Sequence, residues 1–375
     1  MSHAVRLEAA GAAVTVVSAV RAVTAWTGRY AGPWWSAAEV SPESVCAGPL
    51  VTASVDREAY DDAAFAVTQA PHTSTMYARE PMLIAGDASD GVIRAVTSGS
   101  GLAYRSSPAA GSLTVVGCRT EDVATATARL AREVVRGVLL RDGWSVLHAS
   151  AVVQDGRVVL TLGGKGAGKT TTAMTLAHRH GLGLLANDRV FVRPAEGGGV
   201  DVLPWPAAAA VGFGLLDALG WFEVVRERLA AGEELHPTVK PHVTEALRAG
   251  RRTSVWEDGR ESKAQIWPDQ FTRWFGLTLA TGGRAAALVF PRVEAGAVPA
   301  LEERGRELED RDFMSGATED RYPDVLGLVR VDGGGVPAAR REVARRLAEL
   351  PRHEVVLGHD LDANADFLAK VVGCA

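Results

Sequence analysis

The sequence GGKGAGKT, at positions 163 to 170, constrains the fold of this chain more than any other feature. It follows Arg157 to Leu162, an apolar run typical of a short buried strand, and precedes a helix-forming stretch from Thr170 to His180. A strand, a glycine-rich turn and a helix in this order provide the context that the pattern G-x-x-x-x-G-K-[ST] requires. The sequence therefore predicts an α/β domain in which a glycine loop joins a strand to a helix.

This loop has the chemistry of a phosphate site. Glycines let the backbone approach a polyphosphate, successive N–H groups form an anion-binding nest, and the helix start adds the positive end of its dipole. We expect it to bind ATP, with Lys169 at the terminal phosphates and the Thr170 hydroxyl on Mg²⁺. The residues predicted to contact the nucleotide here are Gly163, Gly164, Lys165, Gly166, Ala167, Gly168, Lys169, Thr170 and Thr171. The alternative is a glycine-rich turn that matches the pattern by chance.

A second polar group follows the next apolar run, Leu182 to Ala186, which is also typical of a strand. The sequence continues as Asn187, Asp188 and Arg189. A carboxylate at a strand end beside a phosphate loop can hold Mg²⁺ or take the proton of an acceptor hydroxyl. Asp188 is therefore a predicted catalytic residue and metal ligand, and the alternative is an ordinary turn aspartate.

Hairpin signals on both sides of the loop indicate a mixed sheet. Asp155-Gly156 separates two β-rich runs, and RVFVRPAEGGGVDVLPW places a glycine-rich turn between two further strands. Such antiparallel pairs do not fit a purely parallel, doubly wound sheet. We therefore expect an α/β fold in which the sheet is partly antiparallel.

Three segments together carry a resemblance to a known family: LHASAVV, the glycine loop and LLANDRVFV. They resemble the C-terminal catalytic domain of the HPr kinase/phosphorylase-like family, over roughly residues 120 to 375 and most sharply over 144 to 192. The resemblance implies a P-loop domain of that type and an ATP- and Mg²⁺-dependent kinase acting on a hydroxyl. It also implies that His148, fifteen residues before Gly163, is an active-site residue. A structural histidine is the alternative.

The chain departs from the family pattern at three positions. Asn187 stands where the family has the first of two aspartates, and Asp188 matches the second. Before the sequence GFGLL, Ala209 and Val211 occupy the family's acidic and basic positions. These changes argue against HPr as the acceptor and leave open whether the reverse, dephosphorylating activity is retained. Lys263, after a polar loop, could contact the nucleotide and replace the charge missing at Val211, or could be an ordinary solvated lysine.

Composition bounds the remaining possibilities. The formal net charge of −5 gives no basic surface for nucleic acid, and the longest apolar stretch contains Pro206 and Asp217, so we expect no membrane span. The chain's 3 cysteines form neither a zinc motif nor a disulfide framework, and we expect a reducing, cytoplasmic location.

Residues 1 to 120 read as a small N-terminal α/β domain, and residues 121 to 375 as the catalytic domain, with an amphipathic helix at the junction. Late in the chain, LGLVRV reads as a strand.

The sequence thus predicts a kinase that transfers the γ-phosphate of ATP to a Ser or Thr hydroxyl of a peptide or protein, or to a small metabolite. Asp188, Lys169 and His148 are the predicted catalytic residues. The alternative is a module that binds or hydrolyses ATP and holds a peptide partner without phosphotransfer. A carboxykinase-like lyase would need a further His, Lys and Asp metal site, for which the spacing is absent. Self-association is an expectation taken from the related kinases.

Overall fold

The computed structural model describes residues 1–44, 48–86, 91–315 and 323–373, and its residues form two units. The first comprises Met1–Trp144 and Met314–Val336, and the second comprises Ser145–Phe313 and Pro337–Ala375. Both units combine helices with a large mixed sheet, which confirms the predicted mixed α/β class. Cys46 and Cys374 lie outside the described residues.

A mixed sheet forms the first unit, with strand order β3-β1-β2-β4-β9-β8-β7-β6-β5. Its strands are β1 (His3–Ala9), β2 (Ala12–Ser18), β3 (Ser36–Val40), β4 (Leu50–Val55), β5 (His72–Tyr77), β6 (Glu80–Ala85), β7 (Ile93–Thr97), β8 (Leu102–Ser107) and β9 (Ser112–Gly117). The pairs β2–β4 and β4–β9 are parallel, and the other pairs in this order are antiparallel. The sheet thus joins a hairpin-rich edge to a parallel centre.

Helices α1 (Arg21–Ala31), α2 (Arg57–Gln69) and α3 (Thr120–Arg141) complete the first unit. The expected boundary at residue 120 differs from the observed division, because α3 packs against β2, β4 and β9 of the first sheet. The late segment Met314–Val336 returns to the same unit: Nε of Arg136 donates to the Gly333 carbonyl at 3.0 Å. Packing on the sheet therefore assigns α3 to the N-terminal unit, and contacts with α3 such as this hydrogen bond assign the late segment to it as well.

The second unit is built on a mixed sheet with strand order β10-β14-β15-β20-β12-β11-β13, to which β22 and β21 add beside β20. Its strands are β10 (Ser145–Leu147), β11 (Ala149–Gln154), β12 (Arg157–Leu162), β13 (Gly183–Ala186), β14 (Val190–Pro194), β15 (Val200–Pro204), β20 (Gly283–Val293), β21 (Ala300–Glu302) and β22 (Arg352–Leu357). The central strand β12 runs parallel to β20 and antiparallel to β11. Both predicted hairpins are present, as β11–β12 and β14–β15.

Helices and two small sheets surround this second sheet. The helices are α4 (Lys169–His180), α5 (Phe213–Ala218), α6 (Trp221–Ala230), α7 (Pro241–Arg248), α8 (Pro268–Phe275), α9 (Pro337–Leu347) and α10 (Leu361–Val371). The small sheets pair β16 (Ala209–Val211) with β19 (Ala264–Ile266), and β17 (Val255–Glu257) with β18 (Arg260–Ser262). The apolar core is formed by the sheet's buried residues, including Leu160, Leu185 and Leu288, together with Val343 of α9. Within the described ranges, no helix has the length and apolar character that a bilayer crossing would require.

Candidate active site

The glycine loop, Gly163–Gly168, connects the end of β12 to the start of α4. Gly163, Gly166 and Gly168 have φ angles of 149°, 85° and 99°, which L side chains rarely adopt. A Cβ added to Gly168 would also lie 2.7 Å from Cγ2 of Val293. Backbone conformation at three positions and close packing at the last one explain why the sequence needs glycine here.

The first turn of α4 presents Lys169 and Thr170 beside this loop. The ammonium of Lys169 donates to the carbonyl of Gly163 at 2.6 Å and to that of Gly164 at 3.3 Å. The chain therefore folds the lysine head group back over the loop, where it can approach an anion bound to the loop N–H groups. Thr171, the next residue of α4, is half-buried, and Lys165 on the loop is exposed.

The Asn187 carbonyl joins this region to the end of β13. It accepts a hydrogen bond from the Thr170 hydroxyl at 3.1 Å and another from the buried Ser150 hydroxyl at 2.5 Å. The arrangement follows from the topology, because β12 and β13 flank β11 and both run antiparallel to it. The carboxyl ends of β12 and β13 therefore lie at the same edge of the sheet. This is why the Thr170 hydroxyl reaches a backbone carbonyl that is 17 positions away in the sequence.

A break in one antiparallel ladder creates the polar group at positions 187 to 189. Ser145 pairs with Val192 and Leu147 with Val190, and the register resumes where Ala151 pairs with Ala186. Between these points, His148–Ser150 lies opposite Asn187–Arg189, and within the described residues no ladder pair joins these two segments to each other. Side chains and carbonyls in the break are therefore available for other contacts.

The break brings His148 and Asp188 around the same arginine. Nε of Arg189 donates to Nε2 of His148 at 3.2 Å and lies 3.7 Å from a carboxylate oxygen of Asp188. Because Nε2 accepts this bond, the proton of a neutral His148 ring lies on Nδ1. The Asp188 side chain is 55% exposed, so its carboxylate is open to an incoming group.

Oxygen donors for Mg²⁺ are present at this edge. In the part of the chain that the structure describes, no group of three or more His, Cys, Asp or Glu side chains could hold a metal alone. Mg²⁺ bound with a nucleotide needs few protein ligands, because phosphate and water oxygens complete its shell. The Thr170 hydroxyl and the Asp188 carboxylate are hard oxygen donors of that kind, and Asn187 connects them. This donor set fits the ion predicted from the sequence.

A cavity of about 350 Å³ opens beside the glycine loop on the β20 side. It is lined by Leu162, Gly163, Gly164, Lys165, Gly166, Ala167, Phe290, Pro291, Arg292, Val293, Arg304 and Arg306. Every charged residue in this lining is basic. The three arginines could not be predicted from the sequence, because they follow the loop by well over a hundred positions and belong to no motif.

The structure places the other predicted positions in the small sheets. Lys263 is exposed between β18 and β19, 3.8 Å from Glu261, and does not belong to the described lining of the cavity. Ala209 and Val211 are fully buried in β16, where they pair with β19. Their apolar side chains thus fill a packed position, and the nucleotide role of Lys263 stays a prediction.

Comparisons with known proteins give limited similarity. No family model matches the chain, and no curated protein sequence is similar to it. Among solved structures, it is similar to the HPr(Ser) kinase/phosphatase from Coxiella burnetii, with 14% identity and a TM-score of 0.22. That match covers 44% of this chain and 68% of the other. A TM-score this low is not evidence of function, so the function is inferred from the residues of the site.

Proposed function

We propose that the second unit is an ATP-dependent kinase that transfers the γ-phosphate to a hydroxyl group. The observation that carries this proposal is the glycine loop, with three positive-φ glycines, at the start of α4 and with Lys169 folded over it. This combination provides backbone N–H groups, a helix N-terminus and a mobile cation for one polyphosphate. The basic cavity beside the loop supports the same ligand chemistry.

Each residue of the site has a role in this reaction. The loop N–H groups bind the phosphates of ATP, and Lys169 moves from the Gly163 carbonyl to stabilise negative charge on the transferring group. Thr170 and Asp188 would hold Mg²⁺, which would neutralise negative charge on the nucleotide phosphates. Catalysis of this kind consists of positioning and electrostatic stabilisation, which a preformed loop provides.

Asp188 is the better of the two candidate bases. Its carboxylate is exposed, whereas Nε2 of His148 already accepts from Arg189. A proton can reach that nitrogen only after the arginine moves away. We therefore assign to Asp188 the orientation and deprotonation of the acceptor hydroxyl, and to His148 the positioning of Arg189. The acceptor is a Ser or Thr side chain of a peptide or protein, or a hydroxyl of a small metabolite.

A second candidate function is ATP binding or hydrolysis without phosphotransfer, with a peptide partner held elsewhere on the chain. The observation that favours it is the apolar character of Ala209 and Val211, both fully buried. Neither position can supply the acidic or basic group that the family resemblance leads one to expect. Asn187 in place of an aspartate removes a further carboxylate.

Transfer of labelled phosphate distinguishes the two functions. Native protein would be incubated with Mg²⁺, ATP labelled at the γ-phosphate, and fractions of an extract from the source organism. We expect label on a peptide, protein or metabolite, at a rate that Lys169→Ala lowers at least about 100-fold, as for loss of one preorganised donor. Lys370→Ala, at an exposed position of α10, is the matched control and should transfer label at the native rate. Label found only as inorganic phosphate would support the second function.

A further inference from the structure

A strap of chain, Arg304–Phe313, crosses the edge of the second unit's sheet beside the glycine loop. At one end, the backbone N–H groups of Arg304 and Arg306 donate to the Glu354 carboxylate of β22 at 2.9 and 2.7 Å. At the other end, the Asp312 carbonyl accepts from the backbone N–H of His148 at 2.7 Å. The strap is thus anchored both to β22 and to the residue that begins the break in the ladder.

Carboxylates hold the two strap arginines in place. Arg306 donates from one terminal nitrogen to both oxygens of Asp312, at 2.6 and 2.8 Å, and its guanidinium lies 5.3 Å from the centre of the Phe290 ring. Arg304 lies 3.3 Å from Glu354 and donates to the Phe290 carbonyl at 2.8 Å. The side chains of Asp312 and Glu354 are only 6% and 12% exposed, so these anchors are fixed within the fold.

The same arginines form the wall of the cavity, whereas these carboxylates are not among its described lining residues. Burial favours the neutral form of Arg306, but its hydrogen bonds and charge interaction with Asp312 outweigh this and raise its pKa. A guanidinium carries five N–H donors. Within the described part of the chain, the hydrogen bonds of Arg306 use its two terminal nitrogens and leave Nε–H without a partner. Positive charge and donor capacity are therefore directed at the space beside the loop.

We propose that Arg304 and Arg306 form a second anion subsite, which binds a phosphate group next to the one held by the glycine loop. Two arginines that are held in position by Asp312 and Glu354 bind phosphate at a smaller cost of ordering long side chains. The assignment rests on the proposed function, because a phosphate group reaches this cavity either as the end of the nucleotide or on the acceptor or product. If the phosphate is the end of the nucleotide, the subsite would stabilise the transferring group. If it belongs to the acceptor or product, the subsite would contribute to substrate recognition.

Affinity for nucleotides and for inorganic phosphate tests the subsite. Calorimetry would compare Mg²⁺-ATP and Mg²⁺-ADP binding to native protein, Arg306→Gln and Arg304→Gln. Arg311→Gln is the matched control, because Arg311 is 72% exposed on the same strap and does not line the cavity. We expect each cavity variant to bind phosphate about tenfold or more weakly, the effect of losing charge-assisted hydrogen bonds, and the control to bind normally.

The pattern of losses identifies the source of the phosphate. Weaker ATP binding with unchanged ADP binding assigns the subsite to the terminal phosphate of the nucleotide. Unchanged nucleotide binding, with loss of inorganic phosphate binding to the ADP-loaded protein, assigns it to a phosphate on the acceptor or product. Native affinity of both cavity variants for all three ligands would overturn the subsite.

Two measurements keep this test separate from other failures. If native protein binds no ATP, the proposed function fails, and inorganic phosphate binding to the free protein then tests the strap alone. Thermal unfolding midpoints show whether Arg306→Gln folds, since it loses the Asp312 pair. Arg304→Gln decides the question if that variant unfolds. Arg306→Lys keeps the charge but not the planar fork, so it should bind phosphate with intermediate affinity.

Discussion

Replacement of Gly168 by alanine tests whether the loop has the observed conformation. Its φ of 99° costs a non-glycine residue of order 1–3 kcal/mol. The added Cβ would lie 2.7 Å from Cγ2 of Val293, well inside the contact distance between carbon atoms. Overpacking of this kind costs about 1–3 kcal/mol more. We therefore expect Gly168→Ala to lower the free energy of unfolding of the second unit by about 2–6 kcal/mol.

Gly164→Ala is the matched control within the same loop. Gly164 has no positive φ, and a Cβ there would meet no atom within 4 Å. Its substitution should change the free energy of unfolding by no more than about 1 kcal/mol. Urea unfolding by circular dichroism, with hydrogen exchange of the β12–α4 peptides to assign the transition, measures both variants. Equal unfolding midpoints for Gly168→Ala and Gly164→Ala would refute the loop geometry.

Ligand stabilisation extends this test from conformation to function. Mg²⁺-ATP at 100 times its Kd should stabilise the native second unit by about 2.7 kcal/mol. Gly168→Ala should reduce this stabilisation by Mg²⁺-ATP, because the loop N–H groups of the variant no longer converge on a single bound phosphate. No stabilisation of the native protein by ATP would show that the loop has another role.

Three further predictions concern contacts within one unit or the other. Gly137→Ala should destabilise the first unit by about 2 kcal/mol or more in urea unfolding, because a Cβ there would collide with the backbone carbonyl of Leu328; an unchanged midpoint would contradict this. Burial disfavours the charge of Glu133, but two neighbouring arginines outweigh it and lower its pKa from 4.5 to about 2. These two ion pairs therefore contribute about 3 kcal/mol to the free energy of unfolding above pH 4.5, and this contribution is lost as the pH falls towards 2. The unfolding temperature of Glu133→Gln should lack that pH dependence. Asn364→Ala should cost about 1–3 kcal/mol in urea unfolding, because the buried Gly358 N–H and carbonyl lose their partner; a native midpoint would show that water replaces it.

Much of the second unit's centre was predictable because its signals are local. The strand Arg157–Leu162, the glycine turn and the helix that follows have the expected order, with the helix beginning at Lys169 where Thr170 was expected. The hairpins on either side are also present, since turn residues fix them within a few positions. Alternation and turn chemistry act over short distances, so a single sequence contains them.

The first unit shows where such reasoning fails. LGLVRV was predicted to be a strand, and this prediction is wrong: the described residues there form a loop. The Asp324 carboxylate accepts from the backbone N–H groups of Leu328, Val329 and Arg330, at 2.7, 3.0 and 2.8 Å. These bonds replace strand pairing, and Leu326 and Val329 are buried in the unit. The two buried residues are three positions apart, which is not the spacing of one face of a strand. The apolar character of this stretch therefore predicts burial, but not the backbone conformation that achieves it.

The strap arginines were unpredictable for a different reason. Their positions depend on Glu354, about 50 residues later, and on Asp312, whose own backbone contacts the start of the break at His148. A sequence shows which residues are charged. It does not show which of its many arginines are held beside the glycine loop by carboxylates that are distant in sequence. Asp188 could be predicted, because its place after a strand beside the loop depends only on elements that are close to it in sequence.

Calorimetric titration of the purified protein with Mg²⁺-ATP tests the central claim most directly. We predict one site on the native chain, and Kd values about tenfold or more weaker for Lys169→Ala, as for loss of a charge-assisted hydrogen bond, but unchanged for Lys370→Ala. Absence of binding to the native protein, or equal affinity of the two lysine variants, would contradict the assignment of the glycine loop as a nucleotide site.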